Sequence, residues 1–312
     1  MAVIGIDIGG TKIAGAIFEN DEIVYREKLF LENKGGDDAG SVILELVNTL
    51  LLYAERKGIN VSGIGASVPG IYYSKTGNVW APNISGWENY PLLEKLKLSL
   101  PDNITIKIDS DRACYILGEV WKGNAEGIDN AIFMAVGTGI GAGILVDGRI
   151  VRGANDIAGA IGWLALDKPF YAKYINYGCY EYHASGDGLA RVAKEILPGF
   201  PNSIMLNNKQ IESITAHDVF SAAELHDAAA VKTIKTAIEF WGMAAANLVS
   251  LFNPEVIIFG GGVFGPAVKY LDEIYNEAKK WAQPISITKV KFLPSKAGGE
   301  AGLWGAGYLA KC

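Results

Sequence analysis

Cysteine is scarce. Cys114, Cys179 and Cys312 are the only three in 312 residues, far apart and odd in number. No C-x-x-C pair occurs, so neither a disulfide framework nor a zinc ribbon can be built from them. Such sparse thiols suit a reducing compartment. An excess of positive charge is missing as well. Lys and Arg total 28 against 34 Asp and Glu, a formal net charge of −6, which argues against the basic footprint of a nucleic-acid binder. It still leaves room for an anionic ligand held by local backbone amides. No uninterrupted apolar run of roughly 18 residues appears, so no membrane span is indicated. The opening MAVIGIDIGGTK has no basic n-region and reaches its glycines too early for a signal peptide. The expectation is a soluble cytoplasmic protein with neither a nucleic-acid nor a membrane partner.

Apolar residues, by contrast, are plentiful: 50% of the chain is hydrophobic and 20% charged. Large cores can form without disulfides or a structural metal. Single cores stop growing near roughly 250–300 residues, so two domains are expected. AVIGIDI, KIAGAIFE and IVYREKLF read as three antiparallel strands around a Gly-rich first turn. A helix-period segment covers Ser41 to Lys57, before another β-type run at GIGASVPG. The pattern then recurs: NAIFMAV precedes GTGIGAGILV, and Asp147-Gly148 supplies the D-G turn of a hairpin. Laying Gly9–Phe18 over Val136–Leu145 pairs Gly10 with Gly137, Thr11 with Thr138, Ile13 with Ile140 and Ile17 with Ile144. This favours a duplicated hairpin unit and two similar lobes facing each other. Ala229 to Leu251 has helical spacing, PEVIIFGGGVF reads as a buried strand running into a glycine turn, and GGEAGLWGAGYLAK closes the chain as a small-residue helix. Alternating β and α segments predict an α/β fold with a ligand cleft between lobes.

Three glycine-rich turns follow apolar strands: DIGGTK, GTGIGAG and FGGGVF. Phosphate needs backbone N–H groups at close range, and a Cβ obstructs that approach. Thr11 and Thr138 each add a hydroxyl. One such turn is equally a tight hairpin; three in one chain, two related by the repeat, point to phosphate. The G-x-x-x-x-G-K-[ST] loop is absent, and glycines at 137, 139, 141 and 143 miss the G-x-G-x-x-G spacing. Asp7 ends the first strand, where an acid holds magnesium through water beside nucleotide phosphates or simply caps the turn. Asp109 and Asp111 stand where NITIKI gives way to a helical pattern, the strand end that faces ligands in α/β folds. One of the two is placed to accept a proton from an attacking hydroxyl; the other has the position of a helix cap.

With these elements assembled, the chain resembles the ROK family of sugar kinases (repressors, open reading frames, kinases), from Asp7 nearly to the C-terminus. The resemblance implies the two-lobed actin-like, ribonuclease-H-like ATPase fold, with ATP and Mg2+ as cofactors. It implies a smaller lobe of residues 1–109 plus 297–312 and a larger one of 110–296. DIGGTKIAGAIF, GTGIGAG and VIIFGGGV are similar to the family's two phosphate segments and its adenosine-side turn. Nucleotide contacts are thereby implied for Asp7, Gly9, Gly10, Thr11, Lys12, Gly137, Thr138, Gly139, Gly261 and Gly262. Asp111 falls on the family's catalytic base, preceded by Ser110 where Asn is usual. Asn83, within SVPGIYYSKTGNVWAPNISGW, and Glu181, within GCYEYHASG, fall on sugar contacts, with Gly70 beside them. Two departures stand out. The usual A-G-E-x-G-H reads AGAIGW, so Ala160 replaces a sugar-binding Glu and Trp163 a His. The cysteine cluster before GCxE is reduced to Cys179, with His183 the one candidate partner, so zinc is expected to be absent. The expectation is an ATP-dependent kinase of a hexose-like substrate altered near its anomeric end, with Trp163 either stacking on that substrate or serving as a core or interface residue. The alternative is a sugar-binding regulator without catalysis. Family repressors carry a DNA-binding segment before the first strand, and this chain starts within that strand. Homodimers are expected by analogy.

Overall fold

Two hairpin-led halves build this chain, and each begins where β-branched residues meet a polar turn. The structure, a computed structural model, describes residues 2–207 and 209–312. Strands β1 (Ala2–Ile8), β2 (Lys12–Glu19) and β3 (Glu22–Phe30) are antiparallel neighbours. Helix α1 (Gly36–Lys57) starts at Gly36 rather than Ser41. Its first turn has no apolar periodicity, but Asp37 and Asp38 there favour a helix N-terminus electrostatically. Gly58, at φ 67°, closes it in the left-handed conformation. Then come β4 (Val61–Val68), β5 (Ile71–Tyr73), β6 (Asn78–Trp80), α2 (Leu92–Ser99), β7 (Thr105–Ser110) and α3 (Asp111–Lys122). The five-stranded sheet has the order β3-β2-β1-β4-β7.

The second half runs β8 (Ala131–Val136), β9 (Ile140–Val146), β10 (Arg149–Ile150), α4 (Cys179–Ala184), α5 (Gly186–Ile196), α6 (Ala216–Glu224), α7 (Ala228–Phe252), β11 (Val256–Gly260), α8 (Leu271–Trp281) and β12 (Lys291–Pro294). Its sheet has the order β10-β9-β8-β11-β12. Strand for strand this repeats the first sheet, hairpin at one side and parallel strands at the other. The duplication seen in the glycine turns therefore extends through whole sheets. Helix α9 (Ala301–Lys311) closes the chain. Among the described residues no helix is long and apolar enough to cross a membrane.

The compact units differ from the expected boundaries. The first takes residues up to Gly127, Ile150–Ala158 and Lys296–Cys312; the second takes Ile128–Arg149 and Gly159–Ser295. Helix α3 joins the first unit because glycines let it lie directly on α9. A Cβ on Gly305 would stand 1.7 Å from the Cys114 carbonyl oxygen, and one on Gly118 2.4 Å from that of Ala301. Residues 150–158 return to the first unit through polar bonds. Asp156 accepts from the Ser74 N–H at 3.0 Å and from its hydroxyl at 3.0 Å.

Gly305→Ala forces a methyl group into that helix crossing and is expected to cost about 2 kcal/mol, as overpacking does. Gly299→Ala, with nothing within 4 Å of its new Cβ, is expected to stay within about 0.5 kcal/mol of the parent. Chemical denaturation of the two variants checks the contrast.

Candidate active site

In the first unit the parallel register of β1, β4 and β7 sets Asp7 opposite Ser67 and Ser67 opposite Asp109. All three lie at the carboxyl ends of adjacent strands, where α/β sheets present their ligand-facing groups. Burial holds the Asp7 carboxyl above its ordinary range, with Ser67 and the Lys12 charge pulling it back. The Ser67 hydroxyl is fully buried and makes no hydrogen bond of ordinary geometry. Gly302 of α9 closes over Asp7; a Cβ there would stand 2.6 Å from Oδ1.

The turn between β1 and β2 is held by the Gly9 N–H donating to the Lys12 carbonyl at 2.9 Å. Thr11 and Lys12 are exposed. Asn83 is exposed too and lies against the same turn, its Cβ 3.0 Å from where a Gly10 Cβ would be. Gly70, at φ +123°, has room for no side chain: a Cβ would be 2.2 Å from the Trp80 carbonyl oxygen.

Asp109 and Asp111 have separate fates, and neither caps α3. Ser110 is the cap, its hydroxyl accepting the Ala113 N–H. Asp109 is buried and bound by Arg152, whose Nε donates to Oδ2 at 3.0 Å and whose Nη2 donates to the same oxygen. Asp111 is not paired in this way. Its Oδ1 accepts the Arg112 N–H at 2.8 Å and its Oδ2 the Tyr115 hydroxyl at 3.4 Å. Burial pushes its carboxyl up to about 6; the Arg112 charge opposes this and the Asp7 charge adds to it. A group poised there is ionised at neutral pH yet basic enough to take a proton. The Arg112 Nη2 reaches the Gly70 carbonyl at 3.2 Å. Arg152 and Arg112 are the residues that sequence reasoning missed. Nothing in the spacing of RIVRG marks Arg152 as the partner of an aspartate 43 positions earlier. Arg112 was visible as a cation beside Asp111.

In the second unit, Gly137, Thr138 and Gly262 line one cavity of about 790 Å³ together with Lys194 of α5, His217 of α6 and Val263. That volume suits a nucleotide. Gly261, at φ +88°, must be glycine, since a Cβ would stand 2.4 Å from the Val136 carbonyl oxygen. Gly139 lies beyond the cavity, against the Glu181 carboxylate. Glu181 is partly buried on α4. Burial raises its carboxyl, while the Ile140 N–H, donating to Oε2 at 2.7 Å, and the Arg191 charge lower it.

The segment Gly159–Trp163 is strapped to β9: the Ala142 N–H donates to the Gly159 carbonyl at 2.8 Å. Trp163 is 58% exposed, so it is not a core residue. His183 has a ring nitrogen 2.9 Å from the Tyr174 hydroxyl and stacks on Phe240 at 4.5 Å, while Cys179 is buried. Among the described residues no three His, Cys, Asp or Glu side chains gather as a metal cage. Magnesium does not require one; it is commonly held by one or two carboxylates, water and substrate phosphates, and Asp7 beside the first glycine turn fits that donor set.

Comparison with known proteins places this geometry in context. A family model described as the ROK family matches residues 3–312. A glucokinase of Halalkalibacterium halodurans is 32% identical over 99% of this chain and 94% of its own length. A xylose repressor of Caldicellulosiruptor bescii is 30% identical over 93% of this chain and 75% of its own length. The crystal structure of a ROK family glucokinase from Streptomyces griseus in complex with glucose and AMPPNP has a TM-score of 0.78 at 28% identity, covering 100% of this chain and 99% of that one. The α/β fold is the actin-like ATPase fold of these structures.

Arg152→Ala strands Asp109 in a buried position and is expected to cost about 2 kcal/mol near neutral pH. The ionised form bears that cost, and burial already holds the Asp109 carboxyl above its ordinary range in spite of Arg152, so the deficit grows as pH rises through that raised folded-state value. Urea unfolding of parent and variant is expected to show a smaller difference at pH 5 than at pH 7.5.

Proposed function

The chain belongs to the ROK family, and we propose that it transfers the γ-phosphoryl group of ATP to a hydroxyl of a hexose-like acceptor altered near its anomeric end. The enzyme class, an ATP-dependent carbohydrate kinase, follows from the family and its glucokinase relatives. The observation that carries the chemistry is Asp111: a carboxylate with no salt bridge among the described residues, at the β7–α3 junction, raised to about 6, beside a neighbour already committed to Arg152. In the proposed step Asp111 takes the proton of the acceptor hydroxyl. The oxygen forms the new bond to the γ-phosphorus, and the bond to the β–γ bridging oxygen breaks to release ADP. Asn83 and Glu181 orient acceptor hydroxyls, with Gly70 beside them. Gly9, Gly10, Thr11 and Lys12, with Gly137, Thr138, Gly139, Gly261 and Gly262, hold the nucleotide. Asp7 would hold hydrated magnesium, which neutralises phosphate charge when bound.

Ala160 and Trp163 support the altered acceptor. A small apolar residue and an exposed indole stand where the resemblance implies a charged and a polar sugar contact. Each hydrogen bond to a charged group is worth roughly 1.5–3 kcal/mol, so loss of both weakens recognition of free glucose by orders of magnitude. A glycoside, disaccharide, 2-substituted sugar, sugar acid or cyclitol leaves those contacts unneeded, and Trp163 stacks on it. The xylose repressor relative favours a second reading, sugar binding without turnover.

An ATP-coupled assay across these acceptors is expected to give its highest kcat/KM on an altered sugar; a maximum on free glucose overturns the altered-acceptor reading. Sugar binding with no turnover of any acceptor favours the regulator. Asp111→Asn is expected to lower kcat by about 10²–10⁴-fold while a non-hydrolysable ATP analogue still binds. With Asp111 at about 6, kcat/KM of the parent is expected to fall about tenfold per pH unit below that value, because only the ionised carboxylate accepts the proton.

A further inference from the structure

The second unit places one carboxylate against both the Gly137–Gly139 turn and the Ile161–Trp163 segment. We propose that Glu181 is a positioning residue that ties the nucleotide turn to the acceptor-facing segment, its Oε2 lodged between the two and its Oε1 left for the acceptor. The assignment of which ligand meets which segment rests on the kinase reading above.

The Ile140 N–H, immediately after the glycine turn, donates to Glu181 Oε2 at 2.7 Å. The same oxygen stands 2.9 Å from where a Gly139 Cβ would be and 2.9 Å from where a Gly162 Cβ would be. Oε2 thus occupies a slot between two stretches of backbone, and the slot stays open only because both flanking residues lack side chains. Oε1 takes no hydrogen bond among the described residues and is left for an acceptor hydroxyl.

The far side of the slot is equally fixed. Gly178, which precedes α4, sits so close to the segment that a Cβ there would be 2.4 Å from the Gly162 carbonyl oxygen and 2.6 Å from the Trp163 Cα. The near side is fixed through Gly137, whose carbonyl accepts the Gly186 N–H at the start of α5 at 2.7 Å. Neither Glu181 nor Gly162 lines the 790 Å³ cavity, whereas Gly137 and Thr138 do. Any effect of Glu181 on nucleotide binding therefore travels through the turn.

The test titrates a non-hydrolysable ATP analogue with magnesium into the full chain by calorimetry, with no acceptor present. Glu181→Ala is expected to weaken the analogue about tenfold, the loss of one hydrogen bond to a charged group. Glu181→Gln keeps an oxygen for the Ile140 N–H and is expected to stay within about threefold of the parent. Gly162→Ala, which pushes a methyl group against Oε2 from the other side, is expected to weaken the analogue as well. A Glu181→Ala protein that binds the analogue as the parent does, with only its acceptor KM raised, overturns the proposal. So does a Gln variant no better than Ala. Should Glu181→Ala fail to fold, unchanged binding by Gly162→Ala overturns it instead. If the parent phosphorylates no sugar at all, the kinase reading falls by itself, and the same titrations still decide whether Glu181 sets the turn.

Discussion

Parallel pairing of β1, β4 and β7 lays Asp7, Ser67 and Asp109 side by side at the carboxyl ends of three strands, with Ser67 and Asp109 buried and Asp7 partly so. Every charge placed there meets a desolvation cost, and the surroundings divide that cost unequally. Arg152 takes Asp109 as a partner. Asp7 stays raised beside a hydroxyl without an ordinary hydrogen bond. The Cys114 thiol, fully buried among these acids, is pushed far from ionising, first by burial and then by their charge. Asp111, one step beyond the last strand, receives an intermediate environment. A shift of the register by one residue would turn these side chains to the opposite face and leave no pair of acids with distinct tasks.

The second unit relies on close backbone contacts beside its one positioned carboxylate, Glu181. Gly159, Gly178 and Gly261 each stand where a Cβ would meet a main-chain carbonyl oxygen at 2.4 Å or less. Tight contacts of this kind define a turn more rigidly than side-chain packing does, because main-chain atoms cannot change rotamer. They also explain why so apolar a stretch as Gly159–Trp163 holds one path against β9 and the start of α4. Its glycines are the requirement, and its larger side chains are what the surroundings permit.

Much of this was legible in the residues. The hairpins, the β7–α3 junction and the three glycine turns announce themselves through β-branched runs, D-G and G-G dipeptides and a change of period. The residues alone left Asp109 and Asp111 as two candidates, since a strand-to-helix switch marks the place but not which acid is ion-paired, and it was the family resemblance that singled out Asp111. The Asp109–Arg152 pair joins partners distant in sequence, and pairing of that kind leaves no local trace. The cap on α3 was misread for a related reason: Ser110 lies between two aspartates that are equally good cap residues by type, and only the direction of the chain separates them. The domain boundary moved because close approach of α3 and α9 depends on Gly118 and Gly305, whose role appears only when both helices are in place.

The strap from Gly159 to Trp163 is fastened almost wholly by main chain. Ala142 and Ile161 donate N–H groups to the Gly159 carbonyl at 2.8 and 2.7 Å, and Leu164 donates to the Ile161 carbonyl at 2.9 Å. None of these bonds uses the side chain of Ala160 or of Trp163. The chemical face of the strap can therefore be rewritten by mutation while its path stays the same. Asp111, meanwhile, belongs to a different compact unit. On the kinase reading proposed above, a lineage carrying this arrangement can drift from one acceptor to another by point substitution in the strap while Asp111 is retained.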